Sequence, residues 1–202
     1  MAMSGPHFSY RREYGDLSMT LVVVTDAEQL IPLDDIKQHC RITEDDLDTQ
    51  LISLAEAAAD WVEEYTGRPA RAKVYDLILD AFLGCEIEFP RAPLISLTAA
   101  SCTYVSDAGV VTQIPTATYT TDIESIPGRV YLAYNQSWPL TRYQPKAVRW
   151  RFTAGYESID DLPEKMRQAC LLHIQNALDH GGADEKLEKA AQALVWPLRI
   201  FQ

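Results

Sequence analysis

The chain has no surplus of positive charge, no long apolar run, few cysteines and histidines, and none of the short motifs that mark a reacting site. Its 18 Lys and Arg face 29 Asp and Glu, a formal net charge of −11 over 202 residues. Proteins that grip DNA neutralise phosphates with basic side chains, so this balance disfavours tight DNA binding while leaving room for an acidic wall past which DNA slides. No apolar stretch approaches the roughly 20 residues of a membrane span, and the first residues lack the apolar core of a signal peptide. The expected location is the cytoplasm of the cell that makes the protein. Cys40, Cys85, Cys102 and Cys170 are scattered without CxxC spacing, which speaks against a zinc site or disulfide framework and for reduced core thiols.

His7, His39, His173 and His180 are equally dispersed, and none belongs to an HExxH. The nucleophile elbow, the phosphate loop and the dinucleotide fingerprint are missing. Glu44, Asp45, Asp46 and Asp48 lack the glycine and carboxylate spacing of a calcium loop. The pairs Glu63-Glu64 and Asp160-Asp161 stand beside no pocket signal and read as solvated surface. His173, on an apolar helix face, reads as a core histidine. No catalytic residue, metal or cofactor is expected and the chain reads as non-enzymatic. A small hydrolase is the less favoured alternative, since it needs a clustered nucleophile and base.

A strong helical period occupies the stretch from Asp45 to Pro69. Leu47, Leu51, Leu54, Ala55, Ala58 and Val62 recur at three- and four-residue spacing with Trp61 and Tyr65, so one stripe must be covered, with Trp61 as its expected anchor. Thr43, followed three residues later by Asp46, reads as a capping pair, and the acids of this turn suit the positive end of the helix. Gly67 supplies a left-handed cap and Pro69 stops the ladder.

Residues 1–20 show no periodicity and read as a flexible arm. Thr20–Thr25 is a short β-branched run, and IPLDDIKQHCRI a short helix with Pro32 in its first turn. After Pro69 the period falls to two. Strands are expected at Lys73–Ala81, Cys85–Phe89, Ser96–Val105, Val110–Ile114, Tyr119–Asp122, Arg129–Ala133 and Ala147–Ala154, with a wetter face on the first at Val74, Asp76, Ile78 and Asp80. Helical character returns after Asp161, which has Glu164 as a capping partner, and ends at Gly181-Gly182. A last helix is expected over Ala183–Val195, stopped by Pro197. The pattern predicts an α+β fold: a helical core of about four helices, 21–72 and 155–195, interrupted by an antiparallel β insertion of about six or seven short strands, 73–154.

Three groups of residues suggest contacts with partners. The segment Trp196, Pro197, Leu198, Arg199, Ile200 and Phe201 is too apolar for a free tail and belongs in a groove, its own or a neighbour's. Ala55, Ala58 and Ala59 let helices approach closely, within a subunit or between neighbours. Arg149 and Arg151 share one strand face, which either meets a partner's acids or is the exposed side of a half-buried strand.

The order and spacing of IPLDDIKQHCRI, AAADWVEEYTGR, FPRAPLISLTAASCTYVSDAGV, PGRVYLAYNQSWP, VRWRFTAGY and LPEKMRQACLLHIQNAL resemble the head-tail connector, or adaptor, proteins of tailed bacteriophages and gene transfer agents, in the longer subfamily with a β insertion. The likeness runs from about Leu21 to Arg199, and YTGR and the FTAGY to LPE transition are its most telling parts. It implies a structural virion protein at the head-tail junction, assembled in the host cytoplasm as a homo-oligomeric ring of about twelve copies under the portal protein. Such a ring extends the DNA channel, lets double-stranded DNA pass without specific binding, and seats a head-closure or tail-completion protein. The alternative within this reading is that the chain is itself such a closure or completion protein. The resemblance also implies that residues 196–202 form a docking tail. A family tyrosine after Pro197 is replaced here by Leu198.

Overall fold

The computed structural model describes residues 7–8, 19–25, 31–82 and 84–200, which form four α-helices and two antiparallel sheets. The chain divides into two units, one of residues 1–26 and 73–154, the other of residues 27–72 and 155–202.

The helical unit holds α1 (Leu33–Cys40), α2 (Asp48–Thr66), α3 (Glu164–His180) and α4 (Glu185–Val195). Leu51, Ala55, Ala58 and Val62 of α2 meet Met166, Ala169, Cys170 and Ile174 of α3 in a single core that Ala191 and Val195 of α4 complete. Such burial stabilises by roughly 1.5–3 kcal/mol per large side chain. The stripe is narrower than its period suggested. Trp61 and Tyr65 are only half-buried and Leu47 is 37% exposed, so Trp61 is not the core anchor.

Helix starts also differ from expectation. α2 begins at Asp48 with Leu47 as its cap residue, and neither Thr43 nor any other side chain caps it. The acids there have another use: Lys37 Nζ of α1 lies 2.6 Å from Asp45 and 2.5 Å from Asp48. These contacts raise the lysine pKa above its ordinary value and lower that of Asp45. At α3 the cap residue is Pro163, whose carbonyl accepts from Met166 and Arg167, so Asp161 is not needed. α4 has a true side-chain cap, Asp184, accepting from the Lys186 amide at 2.8 Å.

In the β unit, β1 (His7–Phe8), β2 (Met19–Thr25), β3 (Lys73–Leu79), β5 (Leu94–Val105), β6 (Val111–Gln113) and β9 (Val148–Ala154) form one sheet in the order β1-β2-β3-β9-β5-β6. β4 (Glu86–Glu88), β7 (Tyr119–Asp122) and β8 (Arg129–Leu132) form a second, in the order β4-β8-β7. Tyr75, Leu77 and Leu79 of β3 and Val148, Trp150 and Phe152 of β9 point into the core that both sheets share with Ile87, Phe89 and Val130. Phe89 lies 4.7 Å from Phe152, and Tyr119 is edge-on to Trp150 at 5.1 Å, geometries that aromatic pairs favour.

Two boundaries shift. Residues 19–25 are a strand on β3, with Leu21 opposite Leu77, so 21–25 belongs with the sheet and not with the helical part. The arm expected at 1–20 is strand at 7–8, which pairs with Leu21 and Val22, and at 19–20; its other residues lie outside the described ones. Unpaired edge groups explain the recruitment, since β3 without β2 would expose a full row of backbone donors and acceptors.

Candidate functional site

The C-terminal segment is seated against the end of α2. Gly67 ends that helix at φ 76°, and its amide still donates to the Glu63 carbonyl at 2.8 Å. This reversal leaves the Thr66 carbonyl free to accept from the Ile200 amide at 2.8 Å. Arg68 Nε donates to the Leu198 carbonyl at 2.6 Å. Thr66 braces the turn, its hydroxyl donating to the Val62 carbonyl and accepting from the Arg68 amide. α4 ends at Val195, as expected ahead of Pro197, and is followed by a 3-10 turn, Trp196–Leu198, in whose first positions the missing proline amide is no loss.

Planar groups line up beside this junction. The Arg199 guanidinium lies 5.4 Å from the Tyr65 ring and 5.6 Å from that of Trp196. Tyr65 stacks on Trp61 at 5.7 Å, and Trp61 stacks on His173 at 4.7 Å. His173 Nδ1 is 3.4 Å from Glu188 of α4. His173 is therefore a half-buried stacking partner and not a fully enclosed core residue. A cation over an aromatic face at such a surface contributes about 0.5–1 kcal/mol.

Of the tail residues, Trp196 is 51% exposed, Pro197 and Arg199 are exposed, and Leu198 and Ile200 are half-covered; Phe201 lies outside the described residues. The groove that the apolar ending required is thus its own, at least for the backbone of 198–200. Tyr65, Thr66, Gly67 and Arg68 were not legible as its seat, because they lie about 130 positions earlier and no local pattern links them.

The other candidate contacts resolve differently. Ala55 and Ala58 are buried in the unit's core, where the Cys170 thiol reaches the Ala58 carbonyl at 3.8 Å. They serve close α2–α3 packing and are not available for a ring contact; Ala59 is partly buried against the same core. Arg151 holds Asp76 through two bonds, Nε at 2.8 Å and a terminal nitrogen at 2.9 Å, and Arg149 approaches the same carboxylate at 3.4 Å. Both arginines stay about half-exposed, and the acid they meet is their own chain's. Their cover also explains why Asp76, expected on a wet face, is 4% exposed.

Among the described residues no group of His, Cys, Asp and Glu is arranged to hold a metal ion, and no helix is long and apolar enough to cross a membrane. A cleft of about 270 Å³ is lined by Asp35, His39, Glu164 and Arg167. It presents no hydroxyl or thiol nucleophile, and Arg167 is locked on Asp35 at 2.5 Å.

Residues 30–89 match the family of phage gp6-like head-tail connector proteins. The fold is similar to that of a chain from the virion of a native gene transfer agent (GTA) particle, with 25% identity and a TM-score of 0.73 over 90% of this chain and 96% of that one. Chains from the neck of an empty GTA particle computed with C6 symmetry and the neck of a native one computed with C12 symmetry match at 24% identity with the same coverage, and TM-scores of 0.76 and 0.74. No curated protein matches.

Proposed function

We propose, for a chain that belongs to the phage head-tail connector family, that it works as a ring-forming structural subunit in the neck of a tailed phage or gene transfer particle. The observation that carries this reading is the extent of the structural match, 96% of the GTA chains with both units included. In it the protein joins head to tail by shape and buried area, with no reacting group of its own. A ring of about twelve copies accords with the C12 symmetry used for the native neck. The portal protein on one side and a closure or completion protein on the other are its expected partners, and the host cytoplasm its place of assembly. The net charge of −11 supports a channel segment to which passing DNA does not adhere.

In this reading the outward side of the tail, Trp196, Pro197 and Arg199, is the docking element. Large aromatics and arginine are the residues that anchor interfaces best. Two measurements test the proposal. Electron microscopy of intact particles should show this chain at the vertex through which the genome leaves, and empty density there sinks it. Deleting 196–202 should leave circular dichroism unchanged while abolishing attachment to purified portal; a truncated chain that still binds would remove the tail from the docking role.

A further inference from the structure

We infer that neighbouring copies meet through the β unit, with the β5–β6 hairpin tip and the segment bonded to it inserting against the β7–β8 loop of a second copy of this chain. This rests on the ring reading and supplies its contact.

The donor surface is well defined. Residues 106–110 form a tight turn, with the Ser106 amide donating to the Val110 carbonyl at 2.9 Å. The segment after Trp138 is tied to it by the Ser106–Thr141 bridge and by the Arg142 amide donating to the Val105 carbonyl at 3.0 Å. On this frame Val110, Val111 and Leu140 are 60%, 69% and 81% exposed and Tyr143 is fully exposed. Together they offer on the order of 500 Å² of apolar side chain, against the about 800 Å² that each side of a standard interface buries.

The complement lies on the other sheet of the same unit. The β7–β8 loop exposes Ile123 at 46% and Ile126 at 52%, flanked by Asp122 and Glu124. Asp122 accepts from the Glu124 and Ser125 amides and from the Ser125 hydroxyl, which fixes the loop's shape. The Arg142 guanidinium lies over Gly109 of the tip, where it offers a cation to Asp122 and Glu124 of the partner's loop. Two different complementary patches on one chain make a head-to-tail contact, the kind that closes into a ring.

Charge favours this unit for a copy-to-copy contact. Of the 29 acids, 19 lie in the helical unit with nine of the 18 bases, which leaves ten acids and nine bases in the β unit. Identical helical units repel one another; identical β units do not.

The test uses the full chain in sedimentation velocity, with circular dichroism to verify folding. Val111→Asp with Leu140→Asp removes the tip, and Ile126→Asp removes the loop surface; all three positions are exposed. Each variant should lose self-association by at least about 100-fold. An equal mixture of the two should give one-to-one pairs and nothing larger, because each pair uses the single intact tip and the single intact loop. Variants that assemble like the unaltered chain, a mixture that stays monomeric, or an unaltered chain that is monomeric at about 1 mM would each overturn the contact. Absence of the chain from the neck of imaged particles would instead overturn the connector reading.

Discussion

Gly155 leaves β9 at φ +115°, and a Cβ there would sit 2.2 Å from the Arg71 carbonyl oxygen. No side-chain rotation relieves a clash with backbone, so Gly155→Ala should lower the stability by about 3 kcal/mol or more, read as a shift in the urea midpoint. Gly67→Ala is milder, because its Cβ would meet Ile200 at an ordinary 3.6 Å and only the left-handed conformation is penalised, by about 1 kcal/mol. These are the glycines of FTAGY and YTGR, and each motif marks a backbone constraint. Cys170 gives a pH prediction. Burial pushes its thiol from 9.0 up to about 12, so the unfolded chain releases this proton first as pH rises. Its contribution is complete below about pH 9 and is lost between there and about pH 12. Denaturant midpoints of Cys170→Ala should therefore fall less steeply across that window than those of the unaltered chain.

At the level of elements, the tail seat shows how a long-range pairing can rest on one reversal of the chain. Arg68 contributes a charge-assisted bond to the Leu198 carbonyl, and Ile200 a backbone bond to Thr66. Removing the first by Arg68→Ala should speed exchange of the Ile200 amide by about tenfold or more while leaving the α2 and α3 amides unchanged, as hydrogen exchange would read. Equal acceleration throughout the helical unit would mean that the tail has no separate opening. Helix and strand existence was largely legible, from α2's three- and four-residue spacing to the alternation in β9, because those periods are local. Caps were less so: Asp45 and Asp48 answer Lys37 on another helix, and Pro163 displaces Asp161.

For the whole molecule, charge is the decisive property. With 29 acids against 18 bases, labelled duplex DNA should show no rise in anisotropy at low salt when the protein is added. A steep salt-dependent signal would favour a DNA-binding role instead. The concentration of that charge in one unit was written in the residues but hidden by the chain's order, since the helical unit is assembled from segments on both sides of the strands.

Composition, period and punctuation by themselves determined the fold class, the run of helices and strands, and the absence of recognisable catalytic motifs, because each depends on neighbours a few positions apart. Tertiary structure alone decided that Ala55 and Ala58 are consumed by packing, that Arg149 and Arg151 close on Asp76, that β2 joins the sheet, and that the apolar ending folds back on Thr66 and Arg68. Those outcomes depend on which distant segments compete for the same groups, and no local pattern records that competition.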